Sequence, residues 1–320
     1  MSFPIASQEI GEPWRLSKTH DIGDQYMKVR LLGALKLNSD IEVNGYAAHE
    51  ISGLAWDSDE QMLYAVSDDG FILHLQPKFA DDRLTAVAFA NAYPLTDAHG
   101  EILKDSAADA EGLTLTGGDN AISGDTTLWV SFERQPRIAQ YSPAGRHIGA
   151  HPIPATLKNT ANYAQDNTEL ESLEFTEQFG PVFAPERPLK GARKDRIEIY
   201  NQQGAVAHYP LFEAKNSSLV GLTATPNGNL IALERRYSSM FAPKIWSLRH
   251  LEIGPDGTGK VTDFARFQYG KWKIDNFEAV AHHQDNKYFL ATDDNESSFQ
   301  KSLLVYLEIV DIPAEGATAR

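Results

Sequence analysis

The sequence predicts an all-β protein, a five-bladed β-propeller closed by an N-terminal strand. A short phrase recurs five times, each copy is followed by further strand-like segments, and one strand is spare at the N-terminal end. The phrase is ISGLAWD from Ile51, AEGLTLT from Ala110, LESLEFT from Leu170, LVGLTAT from Leu219 and FEAVAHH from Phe277. Aligned on Ser52, Glu111, Glu171, Val220 and Glu278, the copies stand 59, 60, 49 and 58 residues apart, somewhat long for a four-stranded blade.

Each phrase leads into a second apolar strand: MLYAVSDDG, LWVSFERQ, PVFAPERP, LIALERRY and YFLATDDN. Turn signals such as Asn227-Gly228 separate the two. Third and fourth strands follow in four units, GFILHLQP and TAVAFANAYPL, RIAQYSP and HIGAHPIP, RIEIYNQQ and AVAHYPLF, KIWSLRHLEI and VTDFARFQYG. The fifth unit runs out after SLLVYLEI, and YMKVRLLGALKL (26–37) supplies its missing strand. Pairing the two ends removes the exposed edges that an open array would carry. Six blades is the alternative count; two unrelated β-sandwiches would explain neither the repeat nor the spare strand. Without a linker-like stretch, 1–320 reads as one domain with an N-terminal extension over 1–25. KNTANYAQDN (158–167) reads as a polar loop bordering a site.

The 29 basic and 44 acidic residues leave a net charge of -15. That disfavours bare nucleic acid and anionic membranes and suits a cation. With no cysteine, disulfides and thiolate metal sites are excluded. No apolar run is long enough to span a bilayer, and the N-terminus lacks a signal-peptide core. The expectation is a periplasmic or extracellular mature form without its leader, with a cytoplasmic chain as the alternative, and a monomer.

In a propeller the first strand of each blade lines the channel, and residues two apart share a face. The channel positions are then Ser52 with Glu50, Glu111 with Asp109, Glu171 with Glu169, Val220 with Ser218, and Glu278 with Asn276. Nine of these ten are polar and six are carboxylates, which would repel one another unless a cation is present. Hard oxygen ligands without cysteine or histidine suit calcium. The expected metal set is Ser52, Glu111, Glu171 and Glu278, with backbone carbonyls or water in the Val220 quarter. The plainer alternative is a water-filled channel.

Second strands end at the same mouth, in Asp68-Asp69, Glu133-Arg134, Glu186-Arg187, Glu234-Arg235 and Asp293-Asp294. The three Glu-Arg pairs read as pseudo-equivalent. Arg134, Arg187 and Arg235 would face an anionic substrate, or the pairs would join neighbouring blades.

On ISGLAWD with LYAVSDDG, DAEGLTL, LWVSFERQPRIAQYSP, LVGLTATPNGNLIALERR, and DNFEAVA with FLATDDNESSFQKSLLVYLEI, the chain resembles the bacterial phytase-like propellers described as "esterase-like activity of phytase". The resemblance covers roughly 45–310 and implies an exported propeller with ester-hydrolysing activity. In layout it is also similar to the calcium-activated apyrases, whose axial calcium takes one serine or glutamate per blade. Ser52, Glu111, Glu171 and Glu278 match that pattern, and Val220 departs from it.

The first functional reading is therefore a calcium-dependent hydrolase of phosphate or carboxylic esters. Arg134, Arg187 and Arg235 would offset developing charge, and Glu111 or Glu171 would act as general base. The alternatives are a non-catalytic propeller with a structural calcium and a lactonase. No Gly-x-Ser-x-Gly elbow, phosphate-cradling glycine loop or His-Glu-x-x-His is present. DDNESS (293–298) lacks the glycine and glutamate of an EF-hand loop. The neighbours His282 and His283 face opposite ways on a strand, so a shared ligand role is not expected.

Overall fold

The computed structural model describes residues 7–213, 216–237, 244–274, 276–293 and 301–310. Asp294 and the rest of DDNESS lie outside them. Five antiparallel sheets follow one another along the chain. Blade one comprises Ile51–Asp57, Met62–Ser67, Phe71–Ala80 and Arg83–Pro94. Blade two comprises Ala110–Thr116, Thr127–Phe132, Arg137–Tyr141 and His147–His151. Blade three comprises Leu170–Thr176, Gly180–Pro185, Arg196–Asn201 and Gly204–Pro210, and blade four Ser217–Ala224, Leu230–Arg236, Ile245–Ile253 and Gly259–Gln268. Blade five takes Asn276–Gln284, Lys287–Asp293 and Leu303–Ile309 from the C-terminal part and Val29–Leu37 from the N-terminal part. Val29–Leu37 pairs antiparallel with Leu303–Ile309, from Leu303 opposite Lys36 to Ile309 opposite Val29. The spare strand thus closes the fifth blade as the sequence predicts.

Part of the N-terminal extension is woven into the ring. Gln8–Glu9 pairs with the outer strand of blade one, and Gly11–Pro13 with the outer strand of blade five. Ile10, between them, donates its N–H to Val87 and accepts from Asn38, while its side chain is buried with Leu35 and Val87. These hydrogen bonds and this burial stitch together the two blades that hold the chain's ends. The predicted polar loop, 158–167, follows a short helix, Ala155–Lys158, and opens with a turn of 3-10 helix, Thr160–Asn162, next to buried Tyr163. No helix among the described residues is long and apolar enough to cross a membrane.

The first strands of successive blades touch, and the fifth touches the first. Each carries one extra residue at the same place, between Ile51 and Gly53, Ala110 and Leu113, Leu170 and Ser172, Leu219 and Gly221, and Phe277 and Ala279. A bulge of this kind leaves a residue outside the ladder and re-aims its side chain. The bulges contain Ser52, Glu111, Glu171, Val220 and Glu278, the aligned positions of the repeat. The next residue is small in every blade, because neighbouring backbone lies against it. A Cβ on Gly53 would sit 2.5 Å from the Glu111 carbonyl oxygen, and one on Gly112 would sit 2.9 Å from the Leu173 nitrogen. Two residues past the bulge position, Leu54, Leu113, Leu173, Leu222 and Val280 form an apolar floor across the channel.

Gly53→Ala is expected to lower stability by about 1–3 kcal/mol, the range for overpacking a tight site. The readout is the denaturant midpoint with the slope unchanged. An unaltered midpoint would contradict backbone contact between the first strands of blades one and two.

Candidate metal centre

The site stands at the end of the channel where first strands begin and second strands end. In each blade one second-strand residue pairs with the residue before the bulge: Ser67 with Ile51, Phe132 with Ala110, Pro185 with Leu170, Glu234 with Leu219, and Thr292 with Phe277. The next residues along, Asp68, Glu133, Glu186, Arg235 and Asp293, are therefore equivalent. This corrects the expectation that the three Glu-Arg pairs match one another. In blade four the pair is one residue out of step, so Arg235 takes the position held by Glu133 and Glu186. The spacing was already visible, since Glu171 to Glu186, Val220 to Arg235 and Glu278 to Asp293 are each 15 residues.

The displaced Glu234 turns between blades three and four. It is 1% exposed and accepts hydrogen bonds from Tyr209 Oη at 2.5 Å, Arg249 Nη1 at 2.7 Å and the Phe212 N–H at 2.9 Å. This pair is an interblade contact, as the second reading of the Glu-Arg motif has it.

Among the described residues, Glu111, Glu133 and Glu171 bring carboxylate oxygens within 4.8 Å of one another, all three buried. Glu133 is 1% exposed; its Oε1 accepts from the Glu169 N–H at 3.0 Å, and its Oε2 has no hydrogen-bond partner. Calcium–oxygen distances of about 2.3–2.6 Å allow ligand oxygens up to about 5 Å apart. This donor set therefore fits one hard divalent cation. Ser52, Glu171, Val220 and Glu278 line a cavity of about 10 Å³ above the apolar floor, room for about one water-sized species.

Glu278 is engaged differently. Its Oε1 accepts from Arg235 Nη1 and Asn276 Nδ2, both at 2.6 Å, and Arg235 Nη2 reaches Glu186 Oε1 at 2.8 Å. Burial works against the Arg235 charge, but Glu186, Glu278 and Glu171 hold its pKa above the ordinary value. The four residues expected to hold metal are thus not alike: Glu111 and Glu171 converge, Glu278 is bound to a guanidinium, and Ser52 lines the cavity. Glu133 joins them although the sequence reading did not place it with the ligands.

The other arginines lie nearer the rim. Arg134 is 57% exposed, lies 2.5 Å from Asp109 Oδ2 and donates from Nε to Asn167 Oδ1 at 3.0 Å. Asn167 ends the predicted polar loop, which therefore borders the mouth. Arg134 has a φ of 37°, so the chain has already turned out of the strand there. Arg187 is half-buried, and its Nε, 3.8 Å from Glu186 Oε2, has no hydrogen-bond partner. At the corner of blade one, His49, Glu50 and Asp69 also bring ligand atoms within 4.8 Å of one another. His282 and His283 lie at the far end of their strand, held separately by the Asp285 carbonyl and Tyr306 Oη.

Burial, then mutual repulsion, pushes Glu111 and Glu171 well above the usual carboxylate range. Burial and repulsion by Glu169 and Glu186 push Glu133 up to about 8. Burial and the hydrogen bond shared with Glu50 push Asp68 up to about 9. At Glu133 the folded chain thus binds more protons than the unfolded chain between the ordinary glutamate value of 4.5 and about 8, and this group's contribution to stability falls as pH rises through that interval. In chelator the melting temperature of the wild type relative to Glu133→Gln is expected to fall from pH 5 to pH 8. A difference that grows in favour of the wild type over this range would contradict the buried, repelling cluster.

No curated protein matches the sequence. Among solved structures, the chain is similar to the luciferin-regenerating enzyme at 12% identity, covering 81% of this chain and 92% of that one with a TM-score of 0.42. It is also similar to the PQQ-bound aldose sugar dehydrogenase of Streptomyces coelicolor at 10% identity, covering 88% and 97% with a TM-score of 0.46. At such scores neither likeness bears on the chemistry. The model of the family "Phytase-like: Esterase-like activity of phytase" matches residues 47–296. With that match across all five repeats of the inner strand, the chain belongs to the phytase-like family.

Proposed function

We propose that the protein is a calcium-dependent hydrolase of phosphate or carboxylic esters, with its site at the mouth of the propeller channel. The observation that carries this reading is the convergence of carboxylate oxygens of Glu111, Glu133 and Glu171, all buried, with Glu133 Oε2 lacking a hydrogen-bond partner. A cation held there would polarise the ester oxygen and lower the pKa of water beside it. Glu111, Glu133 and Glu171 would hold the cation, with Ser52 further round the ring, whereas Glu278 is engaged by Arg235. Glu111 or Glu171 would accept the proton of the attacking water.

Arg134, largely exposed at the rim, is the arginine that would meet charge on a small anionic substrate, whereas the Nε of Arg187 is buried beside Glu186. Arg235, first read as a substrate contact, has its Nη atoms committed to Glu186, Glu278 and Asn276. The acidic mouth favours a small substrate over a polyanion that carries no cation of its own. An exported location suits this reading, since calcium sites of modest affinity are filled outside the cytoplasm. The second reading, a binding propeller whose cation only rigidifies the ring, draws on the same cluster and predicts no turnover.

Aryl esters, aryl phosphates, nucleoside diphosphates and lactones assayed with calcium and with chelator separate the two. Turnover of at least one class is expected, lost in chelator and lowered roughly 100-fold or more in Glu133→Gln and Glu171→Gln. No calcium-dependent turnover on any class would sink the hydrolase. Arg134→Ala is expected to leave the melting temperature unchanged, because the side chain is largely solvated. It should raise KM several-fold for an anionic substrate and leave KM for a neutral ester unaltered; equal effects on both would remove Arg134 from the site.

A further inference from the structure

We propose that Arg235 is a resident counter-ion which fills one quarter of the channel mouth, confines a divalent cation to the side of blades two and three, and excludes a second one. The inference rests on the cation site proposed above and concerns how many ions that site takes and where. Two departures from the five-fold pattern fall in the same blade. Blade four has Val220 where three blades have glutamate and one has serine. It also has Arg235 where all the others have an acid: Asp68, Glu133, Glu186 and Asp293. Either substitution alone would only weaken an oxygen ring. Together they replace a ligand by a cation, because the short apolar Val220 leaves the quarter to a guanidinium.

The contacts fit that role. Arg235 Nη1 donates to Glu278 Oε1 at 2.6 Å and to Asn276 Oδ1 at 2.8 Å, and Nη2 donates to Glu186 Oε1 at 2.8 Å. A planar fork can bridge carboxylates of two different blades, three and five, as a single ammonium cannot. Both acids so held are kept from a metal ion, whereas Glu133 Oε2, across the mouth, has no partner. The protein thereby neutralises part of its acidic ring with its own chain, which keeps that quarter paired whether or not calcium is bound.

Calcium binding to wild type and Arg235→Met, measured by calorimetry and counted by native mass spectrometry, tests the proposal. Wild type is expected to bind one ion. R235M should bind a second ion or hold the first roughly tenfold more tightly, since a repelling charge is gone and two carboxylates are released. Adding Glu278→Gln to R235M should return binding to the wild-type level. R235M indistinguishable from wild type in number and affinity overturns the counter-ion. A wild type that binds nothing while R235M binds calcium overturns the proposed cation site and leaves the counter-ion standing, and binding by neither overturns both. If R235M does not fold, Arg235→Lys keeps a charge but spans only one carboxylate. A smaller gain in affinity is then expected, and no gain overturns the proposal.

Discussion

Five inner strands packed backbone against backbone leave almost no room for side chains in the channel, and the rest of the structure answers to that constraint. Gly53, Gly112 and Gly221, with Ser172 and Ala279, let neighbouring strands approach until carbonyl and amide groups meet. The bulge then supplies one position per blade where a side chain is pushed out of the ladder, and the ends of the second strands supply the others. The shared step of the repeat, a bulge residue followed by a small one and then by Leu or Val, is therefore a packing rule first. Its chemical consequence is that few atoms face the mouth, and their identity decides the electrostatics of the site.

Those atoms are mostly acidic. Buried carboxylates at close range must hold protons, find hydrogen-bond donors or meet a cation, and the protein uses more than one of these solutions. Glu278 and Glu186 meet Arg235, Asp109 meets Arg134, and Glu133 takes one backbone N–H and leaves its second oxygen unpartnered. Away from the mouth, the Glu234–Arg249 pair with Tyr209 shows the same residue types joining blades when every oxygen is satisfied. The difference between the two settings is that the cluster of Glu111, Glu133 and Glu171 keeps a buried carboxylate oxygen, Glu133 Oε2, without a hydrogen-bond partner.

Most of the architecture was legible in the sequence. The repeat phrase, four strands per unit and the spare strand at 26–37 follow from patterning and counting, and the bulge positions coincide with the aligned residues. The strap at Gln8–Pro13 was not legible, because two- and three-residue strands carry no periodicity and take their meaning from the edges they cover. The inward pointing of Glu111 and Glu171 was read from simple alternation, whereas the bulge is what re-aims them. The offset in blade four was hidden by the letters themselves. A Glu-Arg pair looks alike in three blades, and only pairing across the hairpin tells which member stands at the ring position.

The sequence by itself determined the fold class, the closure of the ring and the family, since these depend on repeated local patterns that survive in one dimension. It also marked which residues carry charge at the mouth. Tertiary structure decided how those charges are partnered: Arg235 between blades three and five, Glu234 between blades three and four, and Arg134 out at the rim. Such partners lie 15 to 49 residues apart along the chain, and a register difference of one residue exchanges which side chain meets which.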